Sequence, residues 1–139
     1  MAAHLGVPIT AHVSRSTKEK LEAFARARQL ADCMSHWGLE QGDRIATLAW
    51  NDYRHFETYY AAACSGYVCH TINPRLFPEQ LVYIINHAED RYVFLDPDFV
   101  ALAEGLAPQC PGVQAWVVLA SAALLAAAGN DRDRLSAAL

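Results

Sequence analysis

The sequence predicts an α/β fold, a partial three-layer arrangement with a mainly parallel sheet and helical crossovers. Three observations lead there. Short apolar runs recur at Arg44–Trp50, Tyr67–Ile72, Arg91–Asp96 and Val113–Leu119. Between them lie stretches whose apolar residues repeat at helical spacing. The junctions carry Gly, Pro, Asn or Asp, residues that stop one element and start the next. Strands alternating with helices of this length imply parallel pairing with helices on the sheet faces.

The first helix runs from about Thr17 to Trp37. Ala23, Ala27, Leu30, Ala31, Met34 and Trp37 share one face, with Arg26, Arg28 and Asp32 mostly outside it. Gly38 suits the left-handed position that ends such a helix, and Gln41-Gly42-Asp43 makes a turn. The run RIATLAW does not alternate cleanly, which suits a strand covered on both faces. Asn51 and Asp52 are natural caps for the next helix, where Phe56, Tyr59, Tyr60, Ala63 and Cys64 repeat until Gly66.

YVCHTI reads as a second buried strand, ended by Asn73-Pro74 because proline cannot donate to the ladder. Pro78 sits where a first-turn proline is welcome, Glu79 follows at the positive helix end, and Leu81, Ile84, Ile85 and Ala88 form the inward stripe. On this reading the punctuation between His70 and Arg91 is structural. YVFLD is the third strand. Pro97 and Asp98 open a helix to about Leu106, with Phe99, Leu102, Ala103 and Leu106 inward and Asp98 as its cap. Pro108–Gly112 is a loop and Val113–Leu119 the fourth strand. From Ala120 the pattern gives way to alanine-rich helix former and a charged NDRDR cluster.

Composition bounds the function. The 139 residues, 53% hydrophobic and 19% charged, fit one globular domain with a real core. A net charge of −4 removes the usual reason to expect a nucleic-acid partner. The opening MAAHLGVPITAHVSR lacks the basic start and apolar centre of a secretory signal. The longest largely apolar stretch, Ala115–Ala128, falls short of the roughly 20 residues that span a bilayer. A cytoplasmic protein with no transmembrane segment is expected. Cys33, Cys64, Cys69 and Cys110 contain no CxxC pair, and their apolar neighbours predict buried, reduced thiols rather than metal ligands or disulfides.

Motifs for chemistry are sparse. The seven glycines are scattered and form neither GxG nor GxxxxGK[ST], so no backbone loop is suited to a pyrophosphate. A phosphoryl-receiver site would need a lysine from a late strand, and the only lysines are Lys18 and Lys20. His36, His55, His70 and His87 lie on different elements without HxH or HxxxH spacing. His70, inside a predicted strand, reads as a hydrogen-bonded core or cleft residue. Ser65 lacks the GxSxG elbow. No catalytic, cofactor-binding or metal residue is assigned.

Three blocks together are more specific: GLEQGDRIATLAWNDYRHFETYYAA, CHTINPRLFPEQLVYIINHAEDR and YVFLDPDFVALAEGLAP. They resemble the amino-terminal region of adenylate-forming (AMP-binding) acyl-CoA ligases, most closely the bacterial medium- and long-chain fatty acid branch. The segment ARARQLADCM fits what precedes the GD turn in that family. The resemblance covers roughly Ala25–Leu119. It implies the first part of a ligase amino-terminal domain, from an enzyme that makes an acyl adenylate from fatty acid and ATP and passes the acyl group to coenzyme A.

The family's working parts are a TSGTTG-type phosphate loop with a lysine, Mg²⁺, an acidic residue on the ribose and a mobile carboxy-terminal lysine. All lie beyond the matched region. The organisation expected is therefore a degraded amino-terminal segment (1–24), a partial ligase subdomain (25–119) and an alanine-rich tail outside the family pattern (120–139). Truncation, a frameshift or an acquired tail would each produce it. The expected function is that of a truncated fatty acyl-CoA ligase, inactive alone and binding no cofactor itself, with ATP, Mg²⁺ and coenzyme A belonging to the full-length family. The alternative is a non-catalytic interaction module that pairs with itself or with a full-length ligase. A small independent enzyme is the third reading and has no constellation to carry it.

Overall fold

The computed structural model describes residues 15–120. The start of the segment 1–24 and the alanine-rich tail after Ala120 lie outside the described residues. Four helices and four strands alternate: α1 (Arg15–His36), β1 (Arg44–Leu48), α2 (Tyr53–Cys64), β2 (Val68–Thr71), α3 (Pro78–Ala88), β3 (Tyr92–Leu95), α4 (Val100–Leu106) and β4 (Ala115–Val118). All pairings are parallel, in the order β2-β1-β3-β4. The chain steps from β1 to β2 in one direction and from β2 to β3 in the other. Crossovers of one hand then place α2 and α3 on opposite faces, and that is where they lie.

Alternation along the central strands builds two cores. Ile45, Tyr92 and Phe94 point toward α1 and α2, where Ala27, Met34, Ala61 and Ala62 meet them. Ala46, Leu48, Val93 and Leu95 point the other way, onto Leu81 and Ile85 of α3 and Ala103 and Leu106 of α4. The uninterrupted apolar character of RIATL and YVFL thus has its cause, because β1 and β3 are covered on both faces.

β2 corrects the expectation of a second buried strand. It is an edge strand, with Val68 48% exposed, because only β1 flanks it. The cysteines need a similar correction. Cys33 and Cys64 are exposed, Cys69 is half-buried and only Cys110 is buried, all four as free thiols. Cys33 and Cys64 lie near the ends of α1 and α2 on positions turned from the sheet.

The turns follow their residues. Gly38, Gly42 and Gly66 all have positive φ. Gly66 is the most constrained, since the Gly42 amide donates to its carbonyl at 2.8 Å and a Cβ there would lie 3.0 Å from the Gln41 side chain. Asp52 caps α2 by accepting from the amides of Arg54 and His55. Pro78 opens α3, and Gln80 Oε1 accepts from the Phe77 amide at 3.2 Å. Replacing Pro78 with alanine is expected to lower stability by about 1 kcal/mol or less, a small shift in urea midpoint, because a first-turn proline mainly limits the unfolded chain. At the other end of α3, Glu89 takes the left-handed conformation usually left to glycine.

Candidate functional site

In doubly wound sheets, ligands settle beyond the carboxyl ends of the strands, where the strand order reverses. Here that point lies between β1 and β3. The chain's own side chains close it. Asp96, buried after β3, accepts from the Trp50 amide at 2.6 Å. Arg54 Nη2 stands 3.2 Å from Asp96 Oδ1 and 2.6 Å from Asp52 Oδ2, and Arg54 Nη1 donates to the Leu119 carbonyl at 2.6 Å. The Trp50 indole donates to Asp98 at 3.0 Å and packs on Phe99 with ring centroids 5.0 Å apart. One cluster therefore ties together the loops after β1 and β3 and the end of β4.

Asp98 is consequently no helix cap. The capping position of the Pro97–Phe99 3-10 turn falls to Asp96, whose side chain reaches across to β1 instead. Asp52 serves twice, as cap and as partner to Arg54. Burial works against its charge, but the Arg54 guanidinium and the two amides outweigh burial and hold its carboxyl below the usual range.

The open space lies one strand over, at the ends of β1 and β2. Two cavities of about 350 Å³ each share Asn51, His55 and Thr71 as lining residues. One lobe is aromatic, with Phe56 and Tyr59, and the other polar, with Asn73 and Arg75. His55 Nε2 lies 3.0 Å from Thr47 Oγ1, a buried hydroxyl that fixes the ring without being reachable itself. Glu57, near His55 in sequence, is instead buried against α1, where Arg26 donates to it at 2.7 and 2.8 Å.

The remaining histidines are dispersed. His36 Nδ1 lies 2.6 Å from the Asp32 carbonyl, and His87 stacks on Tyr83. Among the described residues no group of His, Cys, Asp and Glu could hold a metal ion. His70 is hydrogen-bonded, as expected for a strand histidine, through Nδ1 to the buried Asp90 at 2.8 Å. A histidine oriented by a carboxylate is half of a nucleophile-activating arrangement. Among the described residues neither neighbouring thiol suits the other half: Cys69 alternates onto the opposite sheet face and burial pushes its thiol up to about 11, and burial and the Asp90 charge raise that of Cys110.

Burial raises the Asp90 carboxyl above its ordinary value, and the bond from His70 only partly offsets it. The folded chain therefore holds this proton more tightly than the unfolded one. Stability from this group is greatest below the ordinary carboxylate value and falls as pH rises toward the elevated one. Asp90→Asn keeps an acceptor for His70 and removes the charge. It is expected to be more stable than the parent near neutral pH and equal to it in acid, as read from urea midpoints across pH.

A nucleoside triphosphate does not fit these residues. The amides at the start of α2 that would cradle phosphate are taken by Asp52. Asp52, Asp96 and Asp98 face Arg54 and Trp50 at the ends of β1 and β3.

The fold and its strand-end cluster define the class as a parallel α/β unit of the doubly wound kind, with its switch point closed from within. The family follows from comparison. Residues 21–136 match the model of the AMP-binding enzyme family, and the chain belongs to that family. It is 47% identical over 116 residues to the medium-chain-fatty-acid–CoA ligase of Ectopseudomonas oleovorans, covering 84% of this chain and 21% of that protein. It is 53% identical over 98 residues to the 3-methylmercaptopropionyl-CoA ligase of Ruegeria lacuscaerulensis, covering 70% of this chain and 18% of the relative. Among solved structures, the fatty acyl CoA synthetase of Mycobacterium tuberculosis superposes with a TM-score of 0.67 at 26% identity, over 85% of this chain and 22% of that one. The chain thus spans about a fifth of the length of these relatives.

Proposed function

We propose that this chain is the opening portion of a fatty acyl-CoA ligase amino-terminal domain, a cytoplasmic scaffold piece that catalyses nothing alone. In the whole enzyme the reaction would be ATP-dependent formation of an acyl adenylate, followed by transfer of the acyl group to coenzyme A. The observation that carries the reading is the 47% identity over 116 residues to a medium-chain ligase, confined to a fifth of that enzyme. The strand-end chemistry agrees with it. Asp52 and Arg54 are hydrogen-bonded to each other, Asp96 accepts from the Trp50 amide and stands in ion-pair range of Arg54, and together they brace the strand ends.

Grafting residues 21–119 in place of the matching segment of the Ectopseudomonas oleovorans ligase tests this directly. The chimera is expected to fold and to form medium-chain acyl-CoA within about tenfold of the parent rate. A folded, inactive chimera would defeat the reading. The isolated chain is expected to give no saturable heat on titration with millimolar ATP and Mg²⁺ or with coenzyme A, since tight binding needs convergent donors and a counter-charge.

A second reading, a non-catalytic module that pairs with itself or with ligase polypeptide, draws on the aromatic residues exposed on α1 and α2.

A further inference from the structure

At the amino ends of the strands a buried carboxyl group is only half provided for. Asp90 stands at the corner between α3 and β3, and its side chain has no exposed surface. Oδ2 lies 2.8 Å from His70 Nδ1, and Oδ1 is buried without a hydrogen-bond partner. A carboxylic acid is content in this position, because its own proton makes the bond to His70 Nδ1. A carboxylate has charge on two oxygens and finds a donor for one of them.

Counter-charge is short as well. Arg44 of β1 is the cation whose field favours the charged form, and it is already engaged, through Nε with the Ala88 carbonyl and through Nη2 with Glu89 at 2.7 Å. Arg91, the next residue, pairs with Asp43 at 2.7 Å, and His87 stacks on Tyr83. Cys69 of β2 and Cys110 beyond α4 feel the Asp90 charge, which adds to burial in raising both thiols, so neither brings a compensating charge.

The position of the pair makes its protonation matter. β2 is an edge strand whose backbone ladder runs to β1 alone. Among the described residues, His70 makes the only hydrogen bond from a β2 side chain to the corner 88–91. We propose that His70 and Asp90 form a proton-operated clasp. It fastens the edge strand to the corner after α3 while the pair keeps the proton between Oδ2 and Nδ1, and it lets both segments open locally when that proton is lost.

One proton passes to water in the change. The fastened pair is neutral overall. Its loss leaves a buried carboxylate beside a neutral imidazole that still donates to Oδ2, with Oδ1 bare, and opening hydrates that charge. Because burial holds the Asp90 carboxyl above its ordinary value, with the His70 bond offsetting only part, the clasp is tight below the ordinary carboxylate range. It loosens as pH rises toward the elevated value.

Amide hydrogen exchange of the full 139-residue chain, corrected at each pH for the intrinsic rate, reads the opening. At about pH 7.5, protection at 68–72 and 89–91 is expected to be at least about tenfold below that at Val93–Leu95, and unchanged by urea below the unfolding transition, since local opening exposes little surface. Lowering the pH to about 5 should raise it at least about fivefold, against a ceiling of roughly tenfold per pH unit for one proton. Asp90→Asn, which cannot ionise, should give the acid-like protection at both pH values. His70→Ala should lower protection at the corner at about pH 5, where the clasp is fastened. In the parent chain the Asp90 carboxyl carbon, followed by NMR, should titrate over the same pH interval as the protection. Equal protection in both regions with the same response to urea would overturn the clasp, as would a pH effect that survives in Asp90→Asn, a His70→Ala chain as protected as the parent, or an Asp90 titration in a separate interval.

Discussion

Phe94→Ala is expected to cost about 3–5 kcal/mol, the upper range for truncating a single buried side chain. Phe94 has no exposed surface and sits mid-strand on β3, with β1 on one side and β4 on the other. Its ring is held against Trp37 at 6.3 Å, so truncation opens a void beneath α1 that neither neighbouring strand can collapse to fill. Domains of this size are stable by only about 5–15 kcal/mol, so the variant should be partly unfolded near physiological temperature. Urea denaturation followed by tryptophan fluorescence reads the effect. A loss below about 1 kcal/mol would mean that the two-faced core is not packed as described. Phe94→Leu, which keeps most of the volume, should recover more than half of the difference.

Asp96→Ala comes next, at about 2–4 kcal/mol. The carboxylate is buried, and removing it strands the Trp50 amide and takes one of two acidic partners from Arg54. Asp96→Asn separates the two effects. Its amide oxygen still accepts from Trp50, so it should retain the amide bond and lose the ion pair, with roughly half the cost. If the asparagine variant is as damaging as alanine, Arg54 is the dominant partner. If alanine is harmless, the loops after β1 and β3 are held by something other than Asp96.

These two residues mark how far the sequence could be read. Phe94 is legible as part of a strand, because the apolar run YVFL stops at Asp96-Pro97, while coverage on both faces is read only from RIATLAW. The run also supplied its neighbours, β1 by the same signal and α3 by its stripe of Leu81 and Ile85. Asp96 was legible only as one acidic residue beside another, and Asp98 was given the cap that neither side chain makes. The reason is distance along the chain. Asp96 meets Trp50 across 46 positions, and Arg26 meets Glu57 across 31. No local pattern encodes such partners.

Exposure was misread wherever it depends on strand order. YVCHTI has the composition of an interior strand, and it lies at an edge because the chain reverses direction after β2. Cys33 and Cys64 were assigned to the interior on the company they keep in sequence. A helix turns such neighbours to different sides within one residue. Glu89 in a left-handed cap had no signal at all, since the usual glycine is absent there. Its carboxylate lies 2.7 Å from Arg44 Nη2, and Arg44 Nε donates to the Ala88 carbonyl, so β1 holds the end of α3 in place of glycine's freedom.

The strand order β2-β1-β3-β4 also sets how the chain can assemble while it is being made. A ribosome adds roughly 5–20 residues per second, whereas small mixed α/β units form their pairings in roughly milliseconds. The β1–α2–β2 crossover is therefore synthesised and free to close before β3 exists. β3 then adds to the free side of β1, and β4 to the free side of β3. Every new strand joins an open border, and no finished pair has to be parted to admit a later one. A pause in translation after any of these crossovers leaves a narrower sheet, not a tangled one.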